Sequence, residues 1–164
     1  MALKDEITTY QFWKQYGESL LQNVDVDNAW KRLSGEGSHN PAWIMGHLAW
    51  VANMLVEGFG ETSQIDMKAW GERFGMGSNS TDDADGGPSW DELLAAWREG
   101  HDAVVAHVGN VTAEILAAPN PFEALRGSFP TTGEFFSFLL SGHESLHLGQ
   151  LSAWRRAQGE SPLF

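Results

Sequence analysis

Cysteine is absent from this chain of 164 residues. Its absence excludes disulfide bonds, thiolate ligands for zinc and a cysteine nucleophile. Long apolar runs are absent as well, because no uninterrupted stretch is long enough to cross a bilayer. The N-terminal stretch MALKDEITTYQFW is charged and lacks the apolar segment of a secretory signal. From these absences we expect a cytoplasmic protein with no membrane-embedded part.

Positive charge is scarce, since 10 lysines and arginines stand against 22 aspartates and glutamates, for a formal net charge of -12. A field of this sign repels the phosphates of nucleic acids and anionic membrane surfaces. We therefore expect neither nucleic acid nor membrane as a partner, whereas a small-molecule substrate or a metal ion is compatible. The length and the hydrophobic content of 42% suit a single domain, residues 1–164, with a sizeable core.

Apolar residues spaced three and four apart predict four main helices, and no stretch alternates as a strand would. The first helix is expected over about residues 4–22. The other three begin at recognisable helix caps, which are Asn40-Pro41, Ser89-x-x-Glu92 and Thr131-x-x-Glu134. The expected fold class is all-α, and a four-helix bundle is the simplest packing of these helices.

Two stretches between the predicted helices are expected to be irregular. Residues 23–39 form the shorter connection, and residues 59–88 form a long one that is rich in glycine. A connection as long as the second is often functional, or it crosses the end of a bundle. We expect Trp70 and Phe74 to anchor it to the core.

Three histidines fall on the predicted inner faces of two helices. His143 and His147 are four residues apart on the fourth helix, so their rings lie one turn apart on one face. His47 lies on the apolar face of the second helix. Each histidine alone is more often a hydrogen-bonded core residue, but facing helices of a bundle can build a metal site. Three imidazoles would leave coordination positions open on a zinc, nickel or ferrous ion.

The segment His143-Glu144-x-x-His147 also matches the H-E-x-x-H motif of zinc proteases. That class of enzyme needs a third ligand downstream of the second histidine. The extended motif has a glycine and then a histidine there, and this chain has Gln150 and Ala153 instead. Zinc proteases also set this helix against a sheet, and no strand is predicted here. We therefore disfavour the protease interpretation.

Two motifs of this chain resemble those of the DinB-like (YfiT-like) superfamily. Residues 40–49, NPAWIMGHLA, resemble its W-x-x-x-H-L-A helix, and residues 142–151, GHESLHLGQL, resemble its H-x-x-x-H-x-G-Q-L helix. The order and separation of the motifs are similar too, so the resemblance covers essentially the whole chain. It implies an up-up-down-down type of four-helix bundle and a metal site formed by His47, His143 and His147. It also makes a homodimer plausible.

The resemblance suggests a chemistry as well. Superfamily members with known activity include thiol S-transferases that use bacillithiol or mycothiol, maleylpyruvate isomerases, and a domain partnered with ergothioneine synthesis. Our leading hypothesis is a metal-dependent S-transferase with a low-molecular-weight thiol as co-substrate. The alternatives are a metal-dependent hydrolase, a metal-binding stress-response protein without turnover, and a dimerising bundle with a vestigial site. The expected cofactor is a divalent ion, zinc or nickel, or else iron.

Glu144 and Gln150 are candidates for a supporting role near the metal. Glu144 is about 100° around the helix from His143. We favour a place for it at the flank of the apolar stripe, facing solvent or another chain, over a role as a base. Gln150 is about one turn past His147 on the same face. There it would bond a ligand, a metal-bound water or the helix backbone.

The remaining histidines and aromatic residues are assigned to the core or the surface. His101 is expected on the inner stripe of the third helix, as a core or pocket histidine, with ligand or acid–base work as the alternative. His39 and His107 are expected in a loop and on the surface. Most large aromatic residues are expected in the core, with one or two at the mouth of a pocket: Trp43, Trp50, Trp70, Phe136 and Trp154.

Overall fold

The computed structural model describes residues 3–33 and 38–163, and every regular element within these ranges is helical. The α-helices are α1 (Lys4–Leu21), α2 (Pro41–Gly58), α3 (Met67–Phe74), α4 (Trp90–His107), α5 (Ala113–Ala117), α6 (Thr132–Phe138) and α7 (Glu144–Ala157). Short 3-10 turns span Val108–Asn110 and Glu123–Leu125. The only extended pairing in these ranges is an isolated antiparallel bridge between Pro119 and Thr131. The all-α prediction is confirmed, although the helices outnumber the four that were predicted.

Residues 34–37 belong to the shorter predicted connection and lie outside the described ranges. Among the residues that the structure describes, no helix combines the length and the apolar composition that a membrane crossing requires.

A π-helical turn, Leu139–His143, joins α6 to α7, and the backbone stays helical through both junctions. We call residues 132–157 the C-terminal rod. A π turn holds one residue more than an α turn, so it rotates every later residue relative to an unbroken α-helix. The predicted inner face of the fourth helix is confirmed beyond the turn at Leu151 and Trp154, which are buried, and is wrong at Gln150. Leu148 is fully buried, whereas Gln150 is exposed.

Four long helical segments, α1, α2, α4 and the C-terminal rod, pack into a bundle in which α1 and α2 occupy opposite corners. Contacts between neighbouring helices give their directions. Helix α1 meets the rod at Glu6–Ser137 and Trp13–Ser141, and it meets α4 at Lys14–Asp102 and Glu18–Arg98. Helix α2 meets the rod at His47–His143 and Gly58–Phe136. Therefore α1 runs parallel to the rod and antiparallel to α4, and α2 runs antiparallel to the rod. The order is up-down-down-up, so the up-up-down-down order implied by the resemblance is wrong.

The three predicted helix caps are all present. Ser89 and Glu92 form the capping box of α4, and Thr131 and Glu134 form that of α6. Asn40 caps α2 and is fully buried. Its side chain also donates hydrogen bonds to carbonyl groups of both irregular connections. This cap therefore fixes where α2 starts and how its histidine is placed along the bundle.

The long connection, residues 59–88, contains a helix that the sequence patterns did not predict. Helix α3 begins after Asp66, whose carboxylate accepts two backbone N–H groups of its first turn. It packs against α2, and Phe74 at its end is 2% exposed. Helix α3 has only eight residues, with two inward aromatic side chains and an internal glycine, Gly71. So short a stretch does not show a helical period in the sequence. The expectation that Phe74 anchors the connection is confirmed.

Candidate metal centre

His47, His143 and His147 converge between α2 and the C-terminal rod. One nitrogen of each ring lies within 4.8 Å of those of the other two. The Nε2 atoms of His47 and His143 are 3.2 Å apart. Two nitrogens that each bind one ion at about 2.1 Å lie roughly 3.0–3.4 Å apart when the bond angle is about 90–110°. The observed separation therefore suits a shared ion, and we call these three residues the histidine cluster.

His47 is oriented by the end of α3. Its Nδ1 atom lies 2.6 Å from the carbonyl oxygen of Phe74. Because a carbonyl only accepts, Nδ1 carries the ring proton and Nε2 keeps its lone pair for an ion. Gly46 makes this close packing possible, since a Cβ atom there would lie 2.5 Å from the Phe74 ring. A side chain at position 46 would therefore push Phe74 away from His47.

His147 is oriented from its own helix. Its Nδ1 atom lies 3.0 Å from Oε1 of Gln150, which is three residues further along α7. The amide oxygen accepts the Nδ1 proton, so the Nε2 atom of His147 is again the one left for an ion. Gln150 is exposed and supports His147 from the solvent side. This contact with the imidazole differs from each of the partners that we expected for Gln150.

His143 is placed by the π turn, of which it is the last residue. Its Nδ1 atom is buried and has no hydrogen-bond partner within the described ranges. The ring meets Phe138 edge to face, with the centroids 5.8 Å apart. Packing therefore sets its direction in place of a hydrogen bond. Single π turns inside α-helices occur frequently at functional sites.

Burial favours the neutral form of all three imidazoles. Desolvation, followed by the neighbouring charge of His147, lowers the pKa of His47 to about 4 and that of His143 to about 3. Desolvation is also the main cause that lowers the pKa of His147. Neutral imidazole is the form that binds metal ions. Near pH 7, an ion therefore meets no positive charge on the histidine cluster.

The donor atoms of the cluster fit a divalent transition-metal ion. Imidazole nitrogen suits zinc, nickel or iron, whereas magnesium and calcium prefer oxygen ligands. Three protein ligands leave at least one coordination position for water or a substrate. Within the described part of the chain, no carboxylate joins the three histidines. The cluster could therefore hold a divalent ion of this kind.

The histidine cluster is the polar end of a cavity of about 280 Å³. The rest of the lining is aromatic or aliphatic and comes from α2, the C-terminal rod and two loops, with Trp43 and Trp50 among it as expected. A larger depression of about 670 Å³ lies between α3 and the start of α4, beside Arg73 and Glu92. Its described lining includes no member of the cluster, so the smaller cavity is the one that adjoins the possible metal site.

The sequence matches the family model described as the DinB superfamily over residues 11–151. The matched range includes both motifs, residues 40–49 and 142–151, and hence the whole histidine cluster. The chain belongs to the DinB superfamily. Searches of the curated proteins and of the solved structures found no match.

Glu144 of this DinB superfamily protein does not lie at a solvent-facing flank, so that expectation is wrong. It is 3% exposed, and its Oε1 atom accepts hydrogen bonds from His101 Nε2 at 2.7 Å and from Trp97 Nε1 at 3.2 Å. Glu144 is four residues after the fully buried Leu140, so both side chains fall on the side of the rod that faces the bundle. Its carboxylate is engaged by α4, which argues further against a protease-like base beside the cluster.

His101 is a core histidine, as expected, with 1% of its surface exposed. Tyr10 of α1 stacks on its ring, with the centroids 3.8 Å apart. Burial, followed by the charge of Glu144, raises the pKa of Tyr10. Side chains from α1, α4 and α7 thus meet in one buried polar group at the centre of the bundle. Within this group, His101 Nε2 is bonded to Glu144, whereas His101 Nδ1 is buried without a hydrogen-bond partner among the described residues.

His39 lies closer to the histidine cluster than its predicted loop position suggested. Its ring stacks on Trp43, with the centroids 3.5 Å apart, and its Nδ1 atom lies 3.0 Å from Ser80 Oγ. Trp43 in turn stacks on His47 at 4.8 Å. The three rings therefore form a row that leads to the cluster. The spacing of four between His39, Trp43 and His47 was the available signal, but His39 precedes the cap of α2.

Proposed function

We propose that this protein is a metal-dependent enzyme that transfers a low-molecular-weight thiol to an electrophilic substrate. The observation that carries the proposal is the convergence of three neutral imidazoles at one end of an apolar cavity. Membership of the DinB superfamily supports it, because thiol S-transferases are among the activities that the resemblance suggested. Zinc or nickel is the proposed metal, and iron would also suit the ligands.

The proposed ligands are His47, His143 and His147. A divalent ion held by them would supply Lewis acidity, which lowers the pKa of a thiol or of water. The chain itself holds the rings in place. The Phe74 carbonyl and the Gln150 amide accept the Nδ1 protons, which keeps both Nε2 atoms directed into the cluster.

The nucleophile has to come from outside the chain, since the protein has no cysteine. A thiolate is the nucleophilic form of a small thiol. In the proposed reaction a sulfur–carbon bond forms while the bond from that carbon to its leaving group breaks. The thiol proton is released with the leaving group. The apolar lining keeps bulk water from the reacting carbon, which favours the thiol over hydrolysis.

The test is thiol-dependent turnover of a neutral chromogenic electrophile, 1-chloro-2,4-dinitrobenzene, by protein loaded with zinc or nickel. Each of a panel of small thiols is supplied in turn, and one reaction contains no thiol. We expect metal-dependent product formation with at least one thiol, lost in His143→Ala and kept in His107→Ala, which alters a histidine outside the cluster. Metal-dependent loss of the electrophile without thiol would indicate a hydrolase. No metal-dependent turnover with any thiol would overturn the transferase proposal and leave a binding protein.

A further inference from the structure

The side chains that line the cavity restrict the kind of substrate it can bind, which the histidine cluster alone does not do. Among the described residues, no lysine, arginine, aspartate or glutamate lines it. Trp50, Val51 and Met54 of α2 form one side, and Phe138 and Leu139 of the C-terminal rod form another. Apart from the indole rims, the three histidines supply the polar side-chain groups of this described lining. Away from the ion that the histidine cluster would hold, a charged group in this space would lose its water without gaining an ion-pair partner, which is costly.

The loop after α3 adds Met76 and Gly77 to the wall, and the loop before the C-terminal rod adds Phe122 and Leu125. Asn120 holds this loop in shape and is fully buried. Its amide donates to the Phe129 carbonyl at 3.0 Å and accepts from the Phe122 N–H at 2.9 Å. Arg126 closes the turn with a bond of 2.7 Å from its Nε atom to the Asn120 carbonyl. Hydrogen bonds within this loop therefore hold its part of the wall in place.

The size of the cavity limits what it can hold. An apolar cavity of about 150 Å³ accommodates benzene, and this one has about 280 Å³. One or two fused rings therefore fit, and the edges and faces of Trp50, Phe122 and Phe138 suit aromatic contacts. The polar body of a small thiol gains little from this apolar wall. It has to remain at the mouth of the cavity, with only its sulfur near the cluster.

We infer that the cavity binds an uncharged aromatic moiety of the electrophilic substrate, held against Trp50, Phe122, Leu125 and Phe138 with its reacting carbon toward the histidine cluster. That the bound molecule is an electrophile rests on the proposed function. The binding preference itself depends only on the wall. A charge on the part of the ring away from the histidine cluster is disfavoured, because the described wall there provides no group to neutralise it.

The experiment compares two probes with the same ring, 4-nitrotoluene and 4-nitrobenzenesulfonate, by ligand-observed NMR with metal-free protein, so that no bound cation attracts the anion. It is done at about 0.15 M salt, which screens the net charge of the chain over distances beyond roughly 8 Å. We expect the neutral probe to bind at least about tenfold more tightly than the anion. Intermolecular NMR contacts from the neutral probe to Trp50 and Phe138 protons locate it in the cavity without any variant.

A matched pair of variants tests the wall directly. Leu125→Arg places a cation in the lining, whereas Ala124→Arg adds the same charge to an exposed neighbour outside it. We expect Leu125→Arg to weaken binding of the neutral probe by about fivefold or more and to strengthen binding of the anion. Ala124→Arg should leave both affinities as in the wild type.

Equal affinity for the two probes, or neutral binding that Leu125→Arg leaves unchanged, would overturn the inference. The proposed function can be overturned independently of this inference. Tight binding of 4-nitrotoluene without any thiol-dependent turnover would retain the cavity assignment and remove the transferase. Turnover of charged and neutral electrophiles at equal rates would support the transferase and overturn the preference for uncharged rings.

Discussion

The Nδ1 atom of His47 and the carbonyl oxygen of Phe74 are 2.6 Å apart, although 27 positions separate the two residues in the chain. The long connection between α2 and α4 is therefore part of the site, because its helix α3 ends at the carbonyl that fixes the His47 tautomer. Gly46 permits that approach. Loss of a hydrogen bond that orients a metal-binding histidine commonly lowers the metal affinity by about 10–100-fold.

Gly46→Ala should weaken zinc binding by about tenfold or more, because the new Cβ atom displaces Phe74 from His47. The matched control is Gly149→Ala in α7, where an added Cβ meets no described atom within 4 Å. That control should keep its zinc affinity and gain about 0.5–1 kcal/mol in the free energy of unfolding. Competition with a chromogenic zinc chelator measures both affinities. Wild-type affinity in a folded Gly46→Ala protein would show that the Phe74 contact is dispensable.

Glu144→Ala should lower the free energy of unfolding by about 2–4 kcal/mol, because it leaves the buried donors of His101 and Trp97 without an acceptor. Glu99→Ala, an exposed change in the long helix α4, should stay within about 0.5 kcal/mol of the wild type. Glu144→Gln keeps an acceptor oxygen and should bind zinc as the wild type does. Urea unfolding measures the stabilities. A cost near zero for Glu144→Ala would contradict the buried network.

Local sequence signals predicted the starts of the three long helical segments that follow Asn40, Ser89 and Thr131. All three predicted caps form, because a cap is a hydrogen bond between residues two or three apart. They are Asn40, the Ser89–Glu92 box and the Thr131–Glu134 box. Helix α3 was not predicted because packing against α2 stabilises it, and such packing leaves no periodic pattern in the local sequence.

The histidines of the cluster could be predicted, and their neighbours could not. His143 and His147 share a face at a spacing of four, which survives whether or not a π turn precedes them. The partners of Glu144, which are His101 and Trp97, come from α4, and no local pattern around Glu144 reveals them. The orienting contact from Phe74 comes from a distant segment. Long-range contacts of this kind require the folded structure.

The stability of the metal-free protein should fall as the pH drops from 7 to 5. The folded-state pKa values of His47 and His143, about 4 and about 3, lie below the unfolded value of 6.5. The unfolded chain therefore binds protons first, and stability that is present above pH 6.5 is lost toward pH 4. The loss should be roughly 1–2 kcal/mol per histidine across this window.

The measurement is urea unfolding at several pH values in the presence of a chelator. His143→Gln should flatten the decline, since it removes one group whose pKa differs between the folded and unfolded states. Carboxylates with lowered pKa values, such as Glu18, lose their contribution to the free energy of unfolding mainly below pH 5. Equal slopes for the wild type and His143→Gln would contradict the assignment of the decline to the cluster.

Joint binding of one divalent ion by His47, His143 and His147 underlies the proposed chemistry. Its most direct test is the metal content of protein equilibrated with zinc or nickel, passed through a desalting column and analysed by mass spectrometry. We expect about one ion per chain in the wild type and in His107→Ala, which changes a histidine with a side chain 37% exposed outside the cluster. We expect little or no retained metal in His47→Ala and His143→Ala. Variants that retain as much metal as the wild type, or a wild type that retains none, would contradict the shared site.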